Sequence, residues 1–152
     1  MSDASASAEG QDRMIDVARS TTVSVAPDAV WQAIGDFCGI ADWHPAVTAC
    51  SLSKPGSASV RTLTLAGGAT LSEELVHWDD AAMSYTYKIV EGPLPVENYT
   101  STIAVSDGGD GSARIDWSGR FEASGASVDE ASGVIAGIYE SGLAALVAKV
   151  EG

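Results

Sequence analysis

A chain of 152 residues, 45% apolar and 19% charged, has enough material for one domain with a sizeable core. Its net charge of −13, with eight Lys and Arg scattered along it, repels phosphate backbones and anionic lipid, so neither nucleic acid nor membrane is an expected partner. No apolar run approaches the ~20 residues of a membrane helix, and two cysteines are too few for a disulfide framework.

Residues 1–13, MSDASASAEGQDR, are small and polar and lack the basic segment and apolar stretch of a signal peptide. A disordered tail is expected there, followed by a single domain over residues 14–152 in a cytoplasmic protein. Met14 to Val25 alternates as a first strand. Pro27 and Asp28 open a helix, because proline is tolerated in a first turn and an acidic residue complements the dipole. Val30, Ile34 and Phe37 recur at helical spacing, and Gly39 ends that helix. A second short helical segment holds Ile40 to His44 and stops at Pro45. Cys38 and Cys50 lie on either side of it, without a CxxC spacing. Two free, partly buried thiols are expected, the other reading being a cysteine nucleophile paired with His44.

From Ala46 to Glu122 the chain reads as strands separated by AGG, DDA, GPLP and DGGDG, which predicts an antiparallel meander of about seven strands including the first. Ser127 and Glu130 form a capping-box signature, and apolar residues then recur at steps of three and four as far as Leu146. Gly133, Gly137 and Gly142 are costly in this helix. Either close packing on the sheet or a cavity beside the helix accounts for them.

This element order resembles the helix-grip fold of the SRPBCC superfamily, with its START and pollen-allergen-like members. The segments APDAVWQAIGDF, DWHPAV, VRTLTL, SYTYKIVEGPLPVENY and GLAALV are similar to its polyketide cyclase/dehydrase branch, the MxaD-like group in particular, over about residues 15–150. The resemblance implies an α+β fold: a seven-stranded antiparallel sheet wrapped around a long C-terminal helix, two short helices after the first strand, and a ligand cavity. It does not imply one activity.

The hairpins predict which side chains share the inner face. A three-residue AGG turn sets Leu63 opposite Leu71 and Arg61 opposite Glu73, with Leu75 on the same face. Continued through the DDA turn, Tyr85 falls beside Leu75 and Tyr87 beside Glu73, with Ser101 and Trp117 coming into the same row across the next two strands and Ile103, Ile115 and Phe121 on the same face. Arg61 and Glu73 are then either a structural ion pair or part of a site. In a site, Glu73 is a general base, Arg61 holds a carboxylate or enolate, Tyr87 donates to a carbonyl, and His44 transfers a proton at the rim. Alternatively, Trp43, His44 and Pro45 only finish a packed corner. His77 is expected in solvent, and Phe37, Trp43, Tyr99, Tyr139 and Leu143 complete the proposed ligand-binding set. The GPLP loop, Gly92 to Pro95, hangs at the mouth with Tyr139 and Leu143 across from it.

Neither a metal nor a cofactor is expected, since no ligand spacing, dinucleotide fingerprint or phosphate loop occurs. Three functions remain open for a monomer or homodimer. The first is binding a small hydrophobic or aromatic carbonyl compound with acid–base cyclisation and dehydration. The second is non-catalytic carriage or sensing of such a ligand. The third is assistance to another protein, with a vestigial cavity.

Overall fold

The structure, a computed structural model, describes residues 14–54 and 58–151, so the expected N-terminal tail lies outside the described residues. Strand β1 (Met14–Val23) is followed by helices α1 (Pro27–Ile34) and α2 (Ile40–Trp43). Strands β2 (Val47–Ser53), β3 (Val60–Leu65), β4 (Thr70–Asp79), β5 (Ser84–Glu91), β6 (Val96–Gly109) and β7 (Ser112–Ala123) then lead to the long helix α3 (Val128–Glu151). The strands form one sheet in the order β1-β7-β6-β5-β4-β3-β2, every pair antiparallel. Helix α3 packs on β1, β7 and α1. This is the helix-grip α+β architecture that the element order implies.

Alternation along the strands builds the core. In β7, Ile115, Trp117, Gly119 and Phe121 point inward while Asp116, Ser118 and Arg120 face out. Ile103, Ile115 and Phe121 have no exposed surface. Helix α3 starts at the capping box: Glu130 N–H donates to Ser127 Oγ at 3.1 Å, and Ser127 N–H donates to Glu130 Oε1 at 3.0 Å. By length and composition α3 could cross a membrane, although its glycines, serines and charged residues leave no long continuous apolar run. In this fold Ile135, Tyr139, Leu143 and Leu146 bury its inner face.

The pairing of β4 with β5 carries two bulges. Val76 is an extra residue in β4 and Val90 an extra residue in β5. The Arg61–Glu73 and Leu63–Leu71 pairs are as expected. The turn between β4 and β5, however, spans four residues, Asp80 to Met83, so that Tyr85 opposes Trp78 rather than Leu75, and past the Val76 bulge Tyr87 opposes Leu75 rather than Glu73. The Val76 bulge swings His77 into solvent and brings Trp78 in to stack on Tyr85, with ring centroids 4.9 Å apart. Further along, Ser101 opposes Gly119, while Trp117 opposes Ile103 one row away.

Helix α1 ends at Ile34, three residues before Phe37. Gly35 adopts φ +76° and donates its N–H to Trp31 O at 3.2 Å, which turns the chain out of the helix. Phe37 is therefore a loop residue with its carbonyl free to be used elsewhere.

The three helix glycines do not share a role. A Cβ at Gly142 would lie 2.6 Å from His44 Cδ2 and 2.7 Å from Trp117 Cζ3, so close packing explains this one. At Gly133 and Gly137 a Cβ would meet nothing within 4 Å. Opposite signs follow. Gly142→Ala is expected to destabilise the fold by about 1–3 kcal/mol, because two buried rings must move. Gly133→Ala and Gly137→Ala are each expected to stabilise it by up to ~1 kcal/mol through helix propensity. Urea unfolding of the three variants measures the contrast.

Candidate functional site

An arginine at position 61 sits in the middle of the sheet with 0% exposure, and its surroundings explain how it is tolerated. Its Nε donates to Glu73 Oε1 at 2.8 Å, and its Nη1 donates to Phe37 O at 2.7 Å and to Tyr85 Oη at 3.3 Å. Its Nη2 lies 2.7 Å from the same Glu73 oxygen without the alignment of a hydrogen bond. Three rings enclose the guanidinium, at 4.2 Å (Phe37), 4.8 Å (Tyr87) and 5.6 Å (Tyr85). The early end of α1 supplies both the Phe37 carbonyl and the Phe37 ring.

Glu73 is 4% exposed, and both of its contacts with Arg61 fall on Oε1. Its Oε2 accepts no hydrogen bond among the described residues, and Glu73 lines an internal cavity. Burial pushes the Glu73 carboxyl above the usual carboxylate range, with Arg61 holding that shift back. The Arg61 guanidinium is raised further above its already high value: its tyrosine and Glu73 neighbours outweigh the burial that opposes them.

The cavity encloses about 270 Å³ between β3–β6 and α3. That is just below the roughly 300–1,000 Å³ of drug-sized ligand sites. Of the residues singled out from the sequence, His44, Leu63, Glu73, Tyr87, Tyr99 and Trp117 line it. Arg61 does not; it is sealed behind Glu73 and the aromatic rings, so it cannot itself hold a carboxylate or enolate. Phe37, Trp43, Leu75, Tyr85 and Ser101 are also outside the lining. Tyr139 and Leu143 are not across the mouth from the GPLP loop; both turn into the core. At the mouth, Leu94 of that loop shares the lining with Val134 and Ile138 of α3 and with Ala46 and Ala66. Leu94 belongs to the loop expected at the mouth; the other four were not singled out, because small apolar residues at a rim look like ordinary packing. A larger groove, about 770 Å³, runs along β5 and β6 past Glu74, Lys88 and Glu97. It is lined by solvated charges, so the more apolar cavity with the buried carboxylate is the better candidate.

His44 is 3% exposed, and both ring nitrogens are engaged. Nδ1 accepts from Ala46 N–H at 3.1 Å, so the proton is on Nε2, which donates to Ile138 O at 2.8 Å. Burial lowers its pKa, so the ring is neutral. This geometry favours the corner over the proton carrier: His44 ties the segment after α2 to α3, in the space that Gly142 leaves. Trp43 completes the corner by donating its indole N–H to Ile34 O at 3.2 Å.

Most of the other aromatics are also accounted for structurally. Asp80 accepts from two indoles, Trp31 at 3.1 Å and Trp78 at 2.8 Å, which ties α1 to the β4–β5 turn. The exception is a polar cluster behind the cavity wall. Trp117 Nε1 donates to Tyr87 Oη and to Ser101 Oγ, both at 3.1 Å. Tyr139 Oη lies 2.9 Å from Ser101 Oγ and 2.5 Å from Tyr99 Oη. Burial raises the pKa of Tyr87 and Tyr99 well above the usual phenol value and pushes Tyr139 up to about 12, so all three keep their protons.

Cys38 and Cys50 are not free thiols: they form a disulfide, with Cα atoms 5.6 Å apart. The bond ties the loop carrying Phe37 to β2, whose Leu52 pairs with Arg61. With a sequence separation of 12, closing such a loop is worth about 3 kcal/mol in the chain-entropy account. It also removes the cysteine nucleophile from consideration.

A bent antiparallel sheet closed by a C-terminal helix over a small cavity with one buried carboxylate defines a helix-grip domain. Residues 14–151 match the model of the family described as polyketide cyclase / dehydrase and lipid transport, and the chain belongs to that family. The resemblance read from the sequence is thus borne out. Among solved structures, XoxI from Bacillus cereus is 36% identical with a TM-score of 0.84, over 89% of this chain and 94% of that one. A protein of Bacillus thuringiensis is 34% identical with a TM-score of 0.85, over 91% of this chain and 100% of that one. An aromatase/cyclase from Streptomyces, at 19% identity and a TM-score of 0.74 over 91% of this chain and 94% of that one, shares the fold. No curated protein matches the chain.

Proposed function

We propose that the domain binds a compact, mostly apolar carbonyl compound in the cavity, and that Glu73 acts on it as a general base. The observation that carries this reading is the division of labour within one carboxylate. Oε1 takes both contacts from Arg61, while Oε2 has no protein partner and Glu73 lines the cavity. A carboxylate raised by burial is a stronger base than one in water, and the paired arginine keeps it ionised. Oε2 takes a proton from carbon next to the substrate carbonyl, and the electron pair moves onto the carbonyl oxygen. The enolate carbon attacks a second carbonyl, whose oxygen takes the Glu73 proton and becomes a hydroxyl. Glu73 then removes the second hydrogen from the same carbon and passes it to that hydroxyl, which leaves as water as the carbon–carbon double bond forms. This is an aldol-type ring closure and dehydration. The family's description, and the aromatase/cyclase that shares its fold, support chemistry of this kind. Arg61 is a positioning residue here, and His44 takes no part.

The almost wholly apolar remainder of the lining favours a second reading, a carrier or sensor in which Glu73 only orients the ligand. Glu73→Gln separates the two. Under the enzyme reading, turnover falls by at least about 100-fold while ligand affinity changes little. Unchanged turnover would remove Glu73 as the base, and a wild-type protein that binds the compound without turning it over would leave the carrier. Because the single change strands the Arg61 charge at a cost of about 3–5 kcal/mol, the neutral double variant Arg61→Met/Glu73→Gln gives the same comparison in a sturdier fold.

The disulfide bears on location as well. Such bonds are rare in the reducing cytosol and persist in oxidising compartments. We place the protein in an oxidising compartment rather than the expected cytoplasm. Alkylation of the protein straight from its own cells, followed by mass measurement, should find Cys38 and Cys50 unmodified; two alkylated thiols would return it to the cytoplasm.

A further inference from the structure

The polar cluster behind the cavity wall has only one consistent arrangement of its protons. Ser118 O is a carbonyl and can only accept; Ser101 Oγ donates its single hydrogen to it at 2.7 Å. Ser101 must therefore accept at its other two contacts, from Trp117 N–H at 3.1 Å and from Tyr139 O–H at 2.9 Å. Tyr139 has then spent its hydrogen, so at 2.5 Å it accepts from Tyr99. Tyr99 has spent its hydrogen in turn. Tyr87 Oη accepts from Trp117 N–H at 3.1 Å, and its own hydrogen has only a long 3.5 Å contact with Tyr99 Oη. That is beyond an ordinary O–H···O bond. Tyr87 and Tyr99 line the cavity, whereas Tyr139 and Ser101 lie behind them.

We propose that Ser101, Tyr139 and Tyr99 form a one-way hydrogen-bond relay, anchored on the Ser118 carbonyl, that reserves the Tyr87 O–H as a donor to the ligand. This rests on the carbonyl reading above and deepens it. The relay holds the Tyr99 hydrogen away from the cavity, so the wall offers one phenolic donor, at Tyr87. Glu73 Oε2 is its acceptor counterpart. The ligand class follows: a molecule with a carbonyl oxygen for Tyr87 and an acidic hydrogen for Glu73. A space of about 270 Å³ suits a single-ring carbonyl compound. Tyr99, Tyr139 and Ser101 are positioning residues.

Acetophenone labelled with ¹³C at its carbonyl is a probe of the right size, and the infrared carbonyl stretch reads the donors on its oxygen. Bound to the wild-type protein, the stretch should lie below its value in an apolar solvent. Tyr87→Phe should return it toward that value and weaken binding about two- to tenfold. Tyr139→Phe should move it further down: Tyr99, having lost its acceptor, turns its hydrogen to the ligand or to Tyr87 Oη, and either change strengthens donation. Ser101→Ala breaks the relay one step deeper and should shift the band in the same direction, so it stands in if Tyr139→Phe fails to fold. A stretch unmoved by Tyr139→Phe and Ser101→Ala, or by Tyr87→Phe, overturns the relay and leaves the carbonyl reading standing. No saturable binding of acetophenone to the wild-type protein overturns both.

Discussion

A guanidinium fully enclosed in an apolar sheet dictates much of what surrounds it. Removing an ion from water costs several kcal/mol even after relaxation, so each donor of Arg61 has to find compensation nearby. One nitrogen takes the carbonyl that the early end of α1 leaves free, and two converge on a single oxygen of Glu73. Phe37, Tyr85 and Tyr87 supply ring faces. The disulfide from Cys38 to Cys50 holds the Phe37 loop against the strands that carry Arg61, so the enclosure does not rest on side-chain contacts alone. The functional consequence is indirect. Arg61 meets no ligand, but it keeps a carboxylate charged and oriented, and leaves that carboxylate one oxygen to spare.

Around this pair the molecule separates structural polarity from cavity polarity. His44 looks catalytic in sequence because it stands in a Trp-His-Pro corner, yet its Nδ1 is taken by the Ala46 N–H beside it and its Nε2 by Ile138 O of α3. Trp31 and Trp78 share one aspartate and staple α1 to the sheet. What remains for a ligand is sparse: one free carboxylate oxygen and one phenol, set in an apolar wall. Sparse polar groups in a closed apolar space fix orientation more than they add affinity.

Much of this was legible from the residues. Alternation and short glycine turns specified the antiparallel order, and the three-residue turn after Leu65 placed Arg61 opposite Glu73. The capping box at Ser127 marked the start of α3. What was hidden has physical reasons. The β4–β5 turn takes four residues, Asp80 to Met83, in place of the three read at DDA, which moved Tyr85 and Tyr87 along β4, and a bulge, which carries no compositional mark, exchanged His77 for Trp78 on the inner face at Val76. The pairing of Cys38 with Cys50 depends on a tertiary approach that spacing does not encode. Gly35 ended α1 early although the apolar period ran on to Phe37. The cavity rim, made by Leu94, Val134 and Ile138, carries no chemical signature at all.

The central claim is that Glu73 is a buried carboxylate whose desolvation outweighs the pull of Arg61. Glutamate labelled with ¹³C at the side-chain carboxyl allows each of these groups to be titrated by NMR in the ligand-free protein. The account predicts one resonance titrating above the ordinary glutamate range near ~4.3, absent from the spectrum of Glu73→Gln. A Glu73 resonance titrating at or below that range would mean that the carboxylate is simply one half of an ion pair, and that no base faces the cavity.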